Sequence, residues 1–218
     1  KNITSLTNNL FTWSNIDGSF DCSDCTKLTS LTGSPKSVSH FYCSNCQSLT
    51  SLEGAPETAN IFNCNRCNSL KNLVGSPKKV HQFDCAGCEY LVSLEGAPEE
   101  AHWFSCDVCV NLKSLNGAPK KADLINCSRC NSLNDLKGLK NVKHLGRLDC
   151  SYCYNLISLE GCPKEVEFFI CSHCRKLSSL KGCPSKAISF ECIDCGVKFE
   201  EEDVKRLCKV SKKISVQY

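Results

Sequence analysis

The chain has 218 residues, 41% of them hydrophobic and 22% charged, a composition that folds and that excludes a disordered tail. Its 26 basic and 23 acidic residues are interspersed, leaving a net charge of +3 and no basic stripe of the kind that neutralises phosphates, so no nucleic-acid partner is expected. No apolar run approaches the ~18 residues of a membrane span, which argues against membrane insertion. The chain starts at Lys1 and contains no methionine, as expected of a processed product or a fragment.

Residues 1–16 read as an irregular N-terminal cap, with Leu6, Leu10, Phe11, Trp13 and Ile16 able to cover the first coil of whatever follows. From residue 17 to 197 the sequence repeats. CxxC pairs fall at Cys22/Cys25, Cys43/Cys46, Cys64/Cys67, Cys85/Cys88, Cys106/Cys109, Cys127/Cys130, Cys150/Cys153, Cys171/Cys174 and Cys192/Cys195. They are spaced by 21 residues except for one step of 23 between Cys127 and Cys150. A fixed period of this size signals a repeat architecture. The unit reads V/A-x-x-F-x-C-x-x-C-x-x-L-x-x-L-x-G-x-P, and all seven prolines of the chain sit in its G-x-P. The longer step, "LKGLKNVKHLGRLDC", keeps Gly138, loses the proline and inserts two residues.

Within one unit, "FYC" alternates, so Phe41 and Cys43 point one way and Tyr42 the other, as in a short strand. The chain then turns inward with Cys46, Leu49 and Leu52 and leaves through Gly54 and Pro56, which suit unusual dihedrals and end a regular ladder. One coil cannot bury that face alone. Nine coils stacked at about 4.8 Å bury continuous columns of Phe, Cys, Cys, Leu and Leu, so the expected fold is a repeat solenoid.

These residues resemble leucine-rich repeats, whose LxxLxLxxN/CxL pattern maps onto "VHQFDCAGCEYL". Val80, Phe83 and Cys85 take the strand positions, and Cys88 takes the Asn-or-Cys position. The "LTSLEGAP" half is similar to short repeats of bacterial and large-phage leucine-rich repeat proteins. The resemblance implies short parallel strands on a concave face, a mostly irregular or extended convex side, few helices, and a protein-interaction role. After the repeats, residues 198–218 read as a C-terminal cap: "FEEEDVKRLCKV" places acids first and bases later, with Val204, Leu207 and Cys208 at helical spacing, and "KISVQY" suggests a final strand.

The 21 cysteines admit three readings. CxxC, 17 residues, then CxxC is a zinc-site spacing, and an iron-sulfur cluster is the related option, but here the spacing follows from the repeat, and nine equivalent pairs cannot be matched two by two. Disulfides between coils meet parallel Cβ atoms about 4.8 Å apart, wider than the usual ~3.8 Å; Cys162 and Cys183, in successive G-x-P corners, are the best placed for one. The third reading, reduced thiols packed as small hydrophobes, is favoured and goes with an intracellular setting. Sequons at Asn2 and Asn126 point weakly the other way.

Function is expected where the repeats differ. The strand position before the Phe column reads Ser19, His40, Ile61, Gln82, Trp103, Leu124, Arg147, Phe168, Ser189, and the one after it reads Asp21, Tyr42, Asn63, Asp84, Ser105, Asn126, Asp149, Ile170, Glu191. His40, Tyr42, Ile61, Trp103, Leu124, Phe168 and Ile170 form an aromatic and apolar set richer than a solvated strand needs, a candidate protein-binding surface that includes self-association among its uses. The competing reading is that they shield one another across strands. After the prolines, Lys36, Glu57, Lys78/Lys79, Glu99/Glu100 and Lys120/Lys121 alternate in charge and are expected to hold coils in register. His40, His81, His102, His144 and His173 occupy different repeat positions without a repeated acid or nucleophile, and there is no P-loop, G-x-G-x-x-G or G-x-S-x-G. The sequence therefore predicts a non-catalytic interaction or structural module without a cofactor, the alternative being a thiol-rich metal-binding or redox protein.

Overall fold

A computed structural model describes residues 3–7 and 15–216. Ten strands run in chain order: β1 (Asn15–Asp21), β2 (Ser37–Tyr42), β3 (Thr58–Asn63), β4 (Lys79–Asp84), β5 (Glu100–Ser105), β6 (Lys121–Asn126), β7 (His144–Asp149), β8 (Glu165–Ile170), β9 (Lys186–Glu191) and β10 (Lys209–Ser215). They form one sheet in sequential order, and every neighbouring pair is parallel. Because the repeat period equals the length of one coil, equivalent residues face each other: Gln82 pairs with Trp103, Phe83 with Phe104 and Asp84 with Ser105. This is the solenoid that the repeat predicts.

Each coil buries the columns expected of it. Phe41, Cys43, Cys46, Leu49 and Leu52 are all fully buried, and Tyr42 between them is only half-buried. The phenyl rings of Phe20, Phe41, Phe62, Phe83 and Phe104 stack in sequence with centroids 5.2–5.6 Å apart. Ile125 and Leu148 interrupt that stack, and Phe169 and Phe190 meet edge-on at 5.0 Å beyond it. The interruption coincides with the 23-residue step, where Lys137–Leu139 forms a 3-10 turn and buries Leu139 and Val142.

Two corners of the typical coil adopt special backbone. At the first, the residue before the second cysteine is left-handed: Asp24, Asn45, Arg66, Val108, Arg129, Tyr152, His173 and Asp194 have φ of 50–60°, and Gly87 has 66°. At the second, the glycine of G-x-P approaches the preceding coil so closely that a Cβ on Gly96 would stand 2.4 Å from the Val74 backbone.

The ends differ from the interior. In β1 and in β10 one extra residue is inserted relative to the neighbouring strand, between Ile16 and Ser19 and between Val210 and Lys213. The β10 bulge, together with exposed Lys209, Lys212 and Lys213, blunts that edge against pairing with another chain. β10 starts at Lys209, earlier than "KISVQY" suggests. Between β9 and β10 lies α1 (Glu201–Leu207), opened by a capping box between Glu200 and Asp203. Its Val204 is buried, but Leu207 is 43% exposed. The expected inner face is narrower because the helix ends at Leu207 and Cys208 is already extended (φ −132°, ψ 127°), which carries its side chain inward. At the other end Leu6 packs against the core, whereas Leu10, Phe11 and Trp13 and the Ile16 side chain lie outside the described residues.

Candidate functional site

The seven residues of the predicted binding surface share the outer face of the sheet. His40, Ile61, Trp103, Leu124 and Phe168 fall in one row set by strand register, running through Gln82 and Arg147. Tyr42 and Ile170 belong to the adjacent row. The polar interruptions divide the apolar members into His40–Ile61, Trp103–Leu124 and Phe168. Only Phe168 is exposed, at 44%; the other six are half-buried by their neighbours. Within β2 the His40 and Tyr42 rings stack with centroids 6.4 Å apart, and His40 Nδ1 lies 3.5 Å from Ser19 Oγ. Cross-strand shielding and an accessible aromatic patch therefore coexist in one row.

The adjacent row has a local duty that the sequence reading missed. Side-chain oxygens of Asp21, Asn63, Asp84, Asn126 and Asp149 accept the backbone N–H two residues later, at 2.8–3.1 Å, and so start the CxxC turn. The signal was present as Asp or Asn directly before the first cysteine in five of nine coils. Burial raises the pKa of Asp84, against the N–H of Ala86 and the Asn65 amide, which favour its charged form. Tyr42 and Ile170 are departures from this turn-starting set and are free of that duty.

The cysteine columns are built into the backbone ladder. Each second cysteine donates its S–H to the carbonyl of the first cysteine in the preceding coil, from Cys46 to Cys22 through Cys195 to Cys171, at 3.1–3.3 Å. First cysteines Cys22, Cys85, Cys127 and Cys150 donate to carbonyls of the following coil. All cysteines are unbridged, and all but Cys162 and Cys183 are buried. The Cys162–Cys183 disulfide is absent, since both are free thiols. Burial pushes the thiols of Cys64, Cys85, Cys127, Cys150 and Cys171 well up from the usual thiol range, and raises Cys183 to about 12 and Cys208 to about 11. Such thiols are poor nucleophiles at neutral pH. Among the described residues, no three His, Cys, Asp or Glu side chains converge in a way that could hold a metal ion.

Charge alternation after the prolines does hold neighbouring coils. Glu100 lies between Lys79 at 3.3 Å and Lys121 at 2.8 Å, and Glu99 pairs with Lys120 at 4.0 Å. Hydrogen bonds from Lys121 and Lys79 lower the Glu100 pKa. The reading that all five histidines differ in repeat position fails for His81 and His102, which stand 21 residues apart and so meet at 4.8 Å; His102 Nδ1 also lies 2.7 Å from Asp123 Oδ2.

Fold and site together define a parallel β-solenoid of 21-residue coils, with thiol columns inside and a variable strand face outside. No protein-family model, curated protein or solved structure matches the chain.

Proposed function

We propose that this protein is a non-catalytic module of the leucine-rich-repeat kind that binds a protein partner through the outer strand face, centred on Trp103, Leu124 and Phe168. Its motif pattern resembles those repeats, and a stacked solenoid offers an extended surface in place of an enclosed site. The observation that carries the reading is Phe168, a large aromatic 44% exposed between Arg147 and Ser189 in a strand row where a solvated residue would suffice. Aromatic side chains of this type dominate the energetics of protein interfaces.

A photo-crosslinking amino acid in place of Ser189, which neighbours Phe168, is expected to capture a specific protein, and the same group at Lys71, away from the strands, is not. Replacing both Trp103 and Phe168 by alanine should weaken binding of the captured protein by at least about tenfold while the melting curve stays cooperative. An unchanged affinity in a folded double variant overturns the proposal. Self-association belongs to the same reading and is tested by sedimentation: a concentration-dependent oligomer abolished by the double variant identifies a second copy as the partner.

A further inference from the structure

The left-handed corner of coils six to eight carries a continuous side-chain ladder, where the other coils place Asp24, Asn45, Arg66, Gly87, Val108 and Asp194. The Arg129 guanidinium lies over the Tyr152 ring, 5.1 Å from its centroid, and that ring stacks on His173 at 4.3 Å. His173 Nδ1 lies 3.0 Å from Asp194 Oδ2. Beside this ladder the Arg175 guanidinium covers Tyr154 at 5.2 Å, and the two tyrosines meet edge-on at 6.5 Å. Arg129, Tyr154 and Arg175 are exposed.

The carboxylates nearby are already engaged. Asp194 faces His173, Asp149 accepts from Arg147 and from Ser151, and Glu191 accepts from Ser172. The arginine ion pairs among the described residues are those of Arg147 and Arg206, so Arg129 and Arg175 have none there. Each guanidinium lies over a tyrosine ring, which restrains the side chain and leaves N–H donors for another acceptor. A guanidinium oriented in this way loses little freedom when it takes a carboxylate with two parallel hydrogen bonds.

We propose that this corner is a docking site for an acidic, extended protein segment, with Arg129 and Arg175 each taking one carboxylate and Tyr152 and Tyr154 supplying contact area between them. Two coil steps of about 4.8 Å, with Arg175 two residues beyond the corner position that Arg129 holds, separate the two backbones by on the order of 10 Å, a length that three or four residues of extended peptide span. Charge complementarity selects the partner: a local basic and aromatic patch in a chain of balanced charge suits a few carboxylates, whereas a nucleic acid is held by neutralising many phosphates along a continuous basic track. The site lies on the turn corner, apart from the strand face, and stands or falls separately from the function proposed above.

The probe is a fluorescein-labelled dodecapeptide of Gly and Ser with glutamate at every third position, titrated by anisotropy at low salt. Its Gln-substituted counterpart and a dT12 oligonucleotide serve as comparisons. The glutamate peptide should bind at least about tenfold more tightly than the glutamine peptide, and R129A/R175A should remove that preference. R129K/R175K should also weaken binding, because lysine keeps the charge but loses the planar fork. Arg66→Ala, at the same corner in coil three, should leave binding unchanged in a protein whose melting curve matches the wild type. Equal binding of the two peptides, wild-type binding by R129A/R175A, no binding up to millimolar peptide, or tighter binding of dT12 would each overturn the proposal.

Discussion

The two corners of each coil pose the same backbone problem and answer it differently. At the G-x-P corner glycine recurs in eight of the nine coils, with φ of 85–96° at Gly54, Gly75, Gly96, Gly117, Gly161 and Gly182. At the CxxC corner the backbone is also left-handed, yet glycine appears once, as Gly87, among Arg, Val, Tyr, His, Asn and Asp. Positive φ alone therefore does not demand glycine here. The space around the missing Cβ does: at Gly96 it would meet backbone at 2.4 Å, whereas at Gly87 it would meet only a flexible carbon of Arg66 at 3.3 Å. Gly138 completes the comparison, because it lies in a 3-10 turn outside the left-handed region and is glycine all the same, with Leu115 backbone 2.1 Å from its would-be Cβ. One corner is fixed by packing of coil on coil. The other faces solvent, tolerates strain, and is free to carry the Arg129–Tyr152–His173 ladder.

The largest effect should come from Gly96→Ala, which adds left-handed strain to a backbone collision and is expected to cost about 3 kcal/mol or more in a urea melt. Gly138→Ala meets the collision without the strain and should cost about 1–3 kcal/mol. A neutral result there would show that φ, and not the close approach, selects glycine. At the open corner the sign reverses: Val108, a β-branched residue at φ 60°, should become more stable by about 0.5–1 kcal/mol when replaced by glycine. Its failure to do so would mean that the exposed Val108 side chain packs better than its position suggests.

Charge pairing beside the proline corner should matter least. Glu100→Lys sets three lysines in a row at positions 79, 100 and 121, and should lower the melting temperature by an amount that shrinks as salt is added. The Glu100 pKa is depressed in the folded state, so its contribution is present above the ordinary glutamate pKa and is lost as pH falls through the lower folded value. The wild-type pH titration of stability should show that loss at acid pH, and Glu100→Gln should not. A last comparison needs no variant. Iodoacetamide at alkaline pH should reach the half-buried Cys162 and Cys183 of the native protein first, and slowly because burial raises both thiols, and spare the CxxC thiols, whereas the unfolded chain should react at every cysteine. Reaction of CxxC thiols in the native state would mean that the columns open.

Much of this architecture was legible because each inward position is written eight or nine times. Phe83, Cys85, Cys88, Leu91 and Leu94 look ambiguous in one copy, but their recurrence at 21 residues permits only a stack. The outer face was legible as a list of residues, yet not as a surface. Nothing in the sequence told that Trp103 would be half-buried and Phe168 exposed, since that depends on whether Leu124 or Arg147 lies alongside. The ladder at Arg129 was missed for a related reason: its members are one per coil, at a position whose side chain varies in every other coil.

The sequence by itself determined the period, the buried columns, the order of the strands and the corner that must be glycine, because these are set by a short pattern repeated in register. The tertiary structure decided the rest. Contacts between residues 23 or 24 positions apart, such as the thiol of Cys88 on the Cys64 carbonyl or Arg129 over Tyr152, arise only when coils are brought within about 4.8 Å of each other. Stacking turns a column of unrelated letters into neighbours, and it is among those neighbours that the proposed binding surfaces lie.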